Sequence, residues 1–596
     1  MNSDSDDSDS EEAARLSALS SDDSDEEPLP QRNPRKKRKC DERDFSWKKK
    51  EFKPQDHAFD PSSSGICNGI TAASSELEIF ESLFTPDIVE GIVDQTNIFQ
   101  RQVHAALTPT AGSRIHQWKD MTSREFCVFL AVVMLMAHSR KGTIAQYWST
   151  DPLLSTPAFS KLMSRNRFLL ILRFLHFSNN EDQIRGDRLH KVRSVLLTLR
   201  KNFQGVLSPY QDLCIDESLL LFKGRLAFKQ YIPSKRSRFG LKSFVLCDVK
   251  TGLVLDIVLY TGSSTEIHDS EMGYGASVVL TLLDKYLGKG HVLWVDNWYT
   301  SPALFTYLLE KKTNACGTVR RNRKGIPREE KRLEEGESSE MCNDQLLFVR
   351  WKDKREVLML TTKHKGGMVE SGKVDKKTGE SRKIPLCVSK YNLCMGAVDK
   401  VDMVVTVTGT VTRKSMKWYK KYFFHLLDIT ILNSHLLQIT ASGKKRSMAD
   451  FRLPLVRQLI EKTLCHENVV RFHGHFEDAK NVYIILELCT RQSLEEMHRP
   501  GRWRSGSEVR YLMRQLLHAC EYLVQEHVIH RDLKPGNLLL TKYSQVKVAD
   551  FGLATRVPYS WQLKRSTCGT TNYMAPEMLT QKGYSYAADI WAVGCI

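Results

Sequence analysis

CIDESLLLFKGR, residues 214–225, sets Asp216 where an apolar run meets a charged turn. Around it, LCID, SFVLCDV, LVLDIVLY and HVLWVD are short runs rich in β-branched and aromatic residues, bounded by turn formers. That pattern predicts strands from about residue 210 onward. Two further stretches repeat the placement of an acid. HVLWVDNWYTS (291–301) ends a strand run on Asp296, and YNLCMGAVDKVDMV (391–404) carries Asp399 and, one helical turn later, Asp402. Singly, a strand-end aspartate is more often a turn residue than a catalyst. Together, a strand, two more strands, a later strand and an acid-bearing helix form an order with chemical meaning.

That order is the one used by ribonuclease-H-like nucleotidyl transferases. In these, carboxylates from two neighbouring strands and a packed helix converge on divalent cations about 4 Å apart. Mg²⁺ suits such a site because it takes few carboxylates and keeps positions for phosphate oxygens. The expected architecture is multidomain, of α+β or α/β class. Residues 1–75 are an acidic then basic disordered tail, and 76–205, where apolar residues recur at three and four, a helical region. Residues 206–319 and 391–463 are the two parts of the ribonuclease-H-like (DDE) core, and 320–390 a β-rich insertion around one hairpin, LLFVRWKDKREVLMLTT. Residues 464–596 form a segment of different style.

Six blocks in order, IDESLLLFKGR, YIPSKRSRFGLKSF, VDNWYTS, GTVRRNRKGIP, YNLCMGAVDKVDM and KWYKKYFFHLLDI, resemble a piggyBac-type transposase over about 76–463. The resemblance implies a catalytic, metal-binding triad at Asp216, Asp296 and Asp399, with Asp402 as an auxiliary acid. It also implies double-stranded DNA as partner, cut and pasted through hairpin intermediates at TTAA sites, and a homodimer, with 76–205 as the dimerisation and DNA-binding region. Family members commonly end in a cysteine-rich zinc module. This chain has fourteen cysteines but no CxxC pair, so weak or altered recognition of DNA ends is the expectation.

The net charge is +17, and residues 1–30 hold eleven acids against one arginine, which leaves the remaining chain strongly basic. Such a field concentrates polyanions. Candidate phosphate contacts are Lys235, Arg236, Arg238 and Lys242 after the first acid, and Arg320, Arg321, Arg323 and Lys324 after the second. Lys417, Trp418, Lys420 and Lys421 place an aromatic among cations, suited to a distorted base, with core packing as the competing reading for Trp418. Arg35 to Lys39 are five consecutive cations that read as a nuclear-import signal. No signal peptide precedes them, and the longest apolar run, FCVFLAVVMLMA (126–137), is too short for a membrane span of about 20 residues.

The last segment has its own vocabulary. HVIHRDLKPGNLLL (527–540), ADFGLA (549–554) and CGTTNYMAPE (568–577) are protein-kinase motifs in order, and FHGHFED, LELC and STCGTTNY resemble polo-like Ser/Thr kinases. The resemblance implies Asp532 as base, Lys534 at the transferred phosphate, Asn537 and Asp550 at Mg²⁺, Glu487 to Cys489 at adenine, and Ser566 as activating phosphosite with Thr567 beside it. Upstream lies no glycine-rich loop, no VAIK lysine and no glutamate of the helix that normally pairs with it. ATP–Mg is therefore a cofactor only if this segment functions, and no ATP binding is expected. The stop at GCI is expected to leave apolar surfaces of helices near 506–525 and 586–596 without partners.

These readings rank a DDE transposase first, active or domesticated. The alternatives are a partial polo-like kinase, and a non-enzymatic nuclear DNA-binding protein or chimeric gene model.

Overall fold

The computed structural model describes residues 45–106, 113–233, 238–328, 332–374, 381–410, 417–462, 466–477, 482–497, 505–526, 528–557 and 563–596. The chain divides into two compact units, Met1–Val456 and Arg457–Ile596.

The first unit opens with helices α1 (Glu76–Leu83), α2 (Pro86–Ala106), α3 (Ser123–His138), α4 (Arg165–Phe174) and α5 (Arg193–Val206). Local chemistry starts them: Ser75 and Glu78 form a reciprocal capping box on α1, and Thr122 caps α3 through the N–H of Glu125. The apolar run FCVFLAVVMLMA is the buried body of α3.

The core is a nine-stranded sheet. Its strands are β1 (Asp212–Leu221), β2 (Gln230–Tyr231), β3 (Phe239–Asp248), β4 (Val254–Leu259), β5 (Val292–Val295), β6 (Asn314–Thr318), β7 (Ser338–Cys342), β8 (Leu347–Lys352) and β9 (Glu356–Thr361). The path is β2-β3-β1-β5-β6-β9-β8-β7, with β4 also on β3. β1, β5 and β6 run parallel, and β3 is antiparallel to β1 and β4. This is the expected ribonuclease-H-like order, with strand crossovers covered by α6 (Tyr274–Leu283) and α7 (Pro302–Glu310). The hairpin read in the insertion is β8–β9. It does not stand apart, because β9 pairs with β6 and carries the sheet outward.

Helices α8 (Leu386–Cys394), α9 (Ala397–Thr408) and α10 (Trp418–Ser442) follow. α10 is buried on nearly every face, as its all-round apolar sequence requires. It ends at Gly443, whose φ of +67° is a left-handed cap that glycine adopts without a Cβ clash. α11 (Met448–Lys462) runs across the division between the units.

One expectation needs correcting. Residues 1–44 lie outside the described residues, but 45–59, expected as part of the tail, pack on the sheet. Phe52 is buried with Val292 and Trp294, Trp47 donates to the carbonyl of Gly325 at 2.9 Å, and Lys48 exchanges backbone hydrogen bonds with Cys342 on β7. The aromatic residues interleaved with the lysines supply the buried area that a purely charged tail lacks.

The second unit contains hairpin β10 (Phe472–Glu477)–β11 (Val482–Leu486), then β12 (Arg491–Ser493), α12 (Gly506–Gln525), β13 (Val528–Ile529), β14 (Leu538–Leu540), β15 (Val546–Val548), β16 (Thr555–Arg556) and α13 (Ala587–Cys595). The expectation for α12 and α13 holds for only part of their apolar surface: Leu512, Leu516, Ala519 and Leu523 share one core with Ala592 and Val593. Their outward faces keep Tyr511, Leu517, Ile590 and Trp591 about half exposed.

Candidate active site

Register builds the site. Ile215 of β1 pairs with Val295 of β5 in parallel, so the next residue of each strand, Asp216 and Asp296, emerges on the same edge. β5 ends at Val295, whereas β1 continues to Leu221 against β3. Asp216 is buried and accepts from the N–H of Glu217 at 2.8 Å.

The loop after β5 is braced from two sides. Asp296 accepts from the N–H of Trp298 at 2.8 Å, and Thr300 donates its hydroxyl to the Asp296 carbonyl at 2.8 Å. Arg320 reaches the side chain of Asn297 at 2.8 Å, while Arg323 reaches the carbonyls of Asn297 and Trp298 at 2.6 and 2.9 Å. Burial, and then the neighbouring Glu217 carboxylate, push the Asp296 pKa above its ordinary value.

Among the described residues, one group of three or more potential metal ligands converges: Asp216, Glu217 and Asp296, each offering one carboxylate oxygen within 4.8 Å of those of the other two. Hard oxygen donors of this kind fit a divalent cation such as Mg²⁺. The predicted pair Asp216–Asp296 is thus brought together. Asp399 is exposed in the first turn of α9 and stands outside the group. Asp402 accepts from the Ser218 hydroxyl at 2.5 Å, and the Cys214 thiol lies 3.3 Å from the Met395 carbonyl, so the face of β1 that carries Asp216 is held against α9. Sequence reasoning missed Glu217. Strand alternation argues against using two consecutive residues at one point, and the only available signal was its position next to Asp216.

The basic candidates divide. Lys235 and Arg236 lie outside the described residues. Arg238, Arg321 and Lys324 are exposed, with Arg321 3.7 Å from Glu356, and Lys417 is half-buried. Arg320 and Arg323 brace the Asp296 loop. Lys242 corrects the expectation of a free phosphate contact: its side chain is 11% exposed, 3.8 Å from Glu217, with its ammonium over the rings of Phe244 and Trp298 at 4.8 and 4.7 Å. Trp418 is buried against Phe228, so the core-packing reading holds for it. Lys420 is buried too, donating to the carbonyls of Leu172 and Arg173 at the end of α4, and burial pulls its pKa down to about 7. Burial also lowers the pKa of half-buried Lys421.

In the second unit, Asp532 accepts from the Thr570 N–H at 2.8 Å and hydroxyl at 2.7 Å, and from Asn537 at 3.1 Å. Lys534 lies 3.1 Å from the same carboxylate and donates to the Thr570 hydroxyl at 2.9 Å. Burial pushes the Asp532 pKa up, but the Thr570 and Lys534 hydrogen bonds outweigh it and hold the carboxyl below its ordinary value. Asp550 is exposed, with φ +63°, and accepts from the Gly552 N–H at 3.3 Å. Ser566 accepts from Arg531 at 2.8 Å, and Thr567 bonds weakly to the Met578 carbonyl at 3.4 Å. Glu487 is engaged by Lys547 at 2.7 Å, and Cys489 is half-buried, its thiol pKa raised by burial.

Comparison with known proteins agrees with this division. The family model described as Transposase IS4 matches residues 75–435, and that described as Protein kinase domain matches 456–596. Among solved structures, the chain is similar to a piggyBac transposase, solved by cryo-EM as a synaptic complex with hairpin DNA. The identity is 25% and the TM-score 0.58, covering 67% of this chain and 83% of that one. The C-terminal part is 50% identical over 137 residues to serine/threonine-protein kinase PLK1 of Xenopus laevis, covering 23% of each chain. It is 45% identical to the inactive serine/threonine-protein kinase PLK5 of Mus musculus over the same length, again 23% of each. Serine/threonine-protein kinase polo of Drosophila melanogaster matches at 37% over 211 residues, 34% of this chain and 35% of that protein. The chain thus spans about a third or less of the length of these curated relatives.

Proposed function

Because the chain belongs to the Transposase IS4 family, which implies dependence on a divalent metal, we propose that it is a piggyBac-like DDE transposase. In this reading it cleaves and transfers DNA strands at TTAA-type sites with Mg²⁺, in the nucleus and as a homodimer. The observation that carries the reading is the parallel β1–β5 register that sets Asp216 beside Asp296. Asp216 and Asp296 would hold the metal; Asp399, the third ligand the resemblance implies, is exposed on α9 outside the converging group. A divalent cation held by the pair would supply Lewis-acid activation of the attacking oxygen and stabilisation of the leaving one. The chain's own residues do the positioning. Arg320 and Arg323 fix the loop that carries Asp296, and the Ser218–Asp402 bond fixes α9 against β1. Arg238, Arg321 and Lys324 offer exposed charge to phosphates.

The test is incubation of the full chain with Mg²⁺ and linear DNA carrying piggyBac-type ends flanked by TTAA, resolved on a denaturing gel. Cleavage that disappears in Asp296→Asn is expected. DNA binding without cleavage would leave the non-enzymatic alternative in its place. Light scattering tests the dimer, and imaging of the tagged chain with and without Arg35–Lys39 tests nuclear import.

A second reading is favoured by one observation, the hydrogen-bonded set Asp532, Lys534, Asn537 and Thr570, which has the composition of a phosphoryl-transfer loop. In it, Asn537 and Asp550 hold ATP–Mg and the chain about Glu487–Cys489 meets adenine. The sequence has no glycine-rich loop or VAIK lysine before this segment, so no thermal shift with ATP–Mg is expected. A clear stabilisation by ATP–Mg would make this the leading reading for the second unit.

A further inference from the structure

We propose that Glu217 is itself a ligand of the divalent cation at the Asp216–Asp296 site; this rests on the cation-dependent reading above. Successive residues of a strand point to opposite faces. Asp216 shares its face of β1 with Cys214 and Ser218, which meet Met395 and Asp402. Glu217 belongs to the other face, with its cross-strand partner Phe244. Its carboxylate nevertheless comes within 4.8 Å of both aspartates. Topology explains this. β5 stops at Val295, so beyond Ile215 the edge of β1 on that side is uncovered, and the longer glutamate side chain can wrap over it.

The glutamate is also aimed. The hydroxyl of Tyr299, a ring 1% exposed, lies 3.4 Å from Glu217 Oε2, and Lys242 Nζ lies 3.8 Å from Oε1. Lys242 is seated over Phe244 and Trp298, so it is a fixed counter-charge and not a mobile surface cation. One long hydrogen bond from Tyr299 and the nearby Lys242 charge thus orient the carboxylate whose oxygen converges with those of Asp216 and Asp296. Lys242 supplies one positive charge against three carboxylates, and a divalent cation would offset the rest while accepting one oxygen from each.

The experiment titrates the full chain with Mn²⁺ and reads the free ion by electron paramagnetic resonance, without DNA. Glu217→Gln is expected to weaken Mn²⁺ binding by about tenfold or more. Glu217→Asp, which keeps the charge on a shorter arm, is expected to fall between it and wild type, and replaces it if Glu217→Gln does not fold. Glu340→Gln, away from the cluster, serves as the unchanged control. If Asp216→Asn and Asp296→Asn lose Mn²⁺ while both Glu217 variants bind like wild type, the role of Glu217 is overturned and the cation reading stands. If the two aspartate variants also bind like wild type, the cation reading itself fails, and this inference with it.

Discussion

Asn433 of α10 completes the backbone pairing of Val254 on β4: its amide donates to the Val254 carbonyl at 2.8 Å, and its side-chain oxygen accepts from the Val254 N–H at 3.0 Å. A helix side chain thereby does for an edge strand what a further strand would do. Both residues are fully buried. Asn433→Leu leaves one buried donor and one buried acceptor unmade, and is expected to destabilise the protein by about 2–4 kcal/mol. Urea unfolding followed by tryptophan fluorescence checks this.

The same strand is tied to α5 by a two-pronged ion pair, Arg200 to Asp256 at 2.7 and 2.9 Å, with the aspartate fully buried. Removing one partner of such a pair strands the other charge. Asp256→Ala is expected to destabilise by about 3–5 kcal/mol, and the double variant Arg200→Met/Asp256→Leu by clearly less. Melting temperatures of the three proteins decide it.

Lys420 gives a pH dependence with a definite sign. Burial holds its folded pKa at about 7, below the ordinary value of 10.5. Between these values the unfolded chain binds the extra proton and the folded chain does not, so stability rises with pH across that window. Below about pH 7 the folded protein carries the whole penalty of the buried charge. Lys420→Met is expected to flatten this part of the stability profile, measured by urea unfolding at intervals from pH 6 to 10. An unchanged slope would show that Lys420 is not its source.

In the second unit, Asp589 accepts from the N–H groups of both His530 and Arg531, at 2.7 and 2.8 Å. That carboxylate holds the turn before Asp532, where Arg531 has φ +71°. Asp589→Ala leaves two donors unpaired and is expected to destabilise the unit by about 2–4 kcal/mol. Hydrogen exchange should speed up at residues 528–538 and remain unchanged in the sheet of the first unit.

Much of the site was legible as a list of residues, and less of it as geometry. The β-branched runs ending in Asp216 and Asp296 announce strands, because period and composition are local properties. Trp418 and Lys420 were harder. A lysine beside a tryptophan reads as a nucleic-acid surface, and only the packing of α10 under Phe228 and the end of α4 turns both inward. Arg320 and Arg323 carry the right charge for phosphate, yet Arg320 bonds the Asn297 side chain and Arg323 the carbonyls of Asn297 and Trp298.

Residues 45–59 were read by their charge and composition, but Trp47 and Phe52 decide their fate by finding apolar surface on the sheet. What the sequence by itself determined is the set of elements, their order, the two acids at strand ends and the style of the C-terminal segment, all of which follow from local pattern. Only the tertiary structure decided which charges remain in water and which carboxylates meet. The convergence of Glu217 with Asp216 and Asp296 depends on where β5 stops relative to β1, a relation between segments eighty residues apart that no local period encodes.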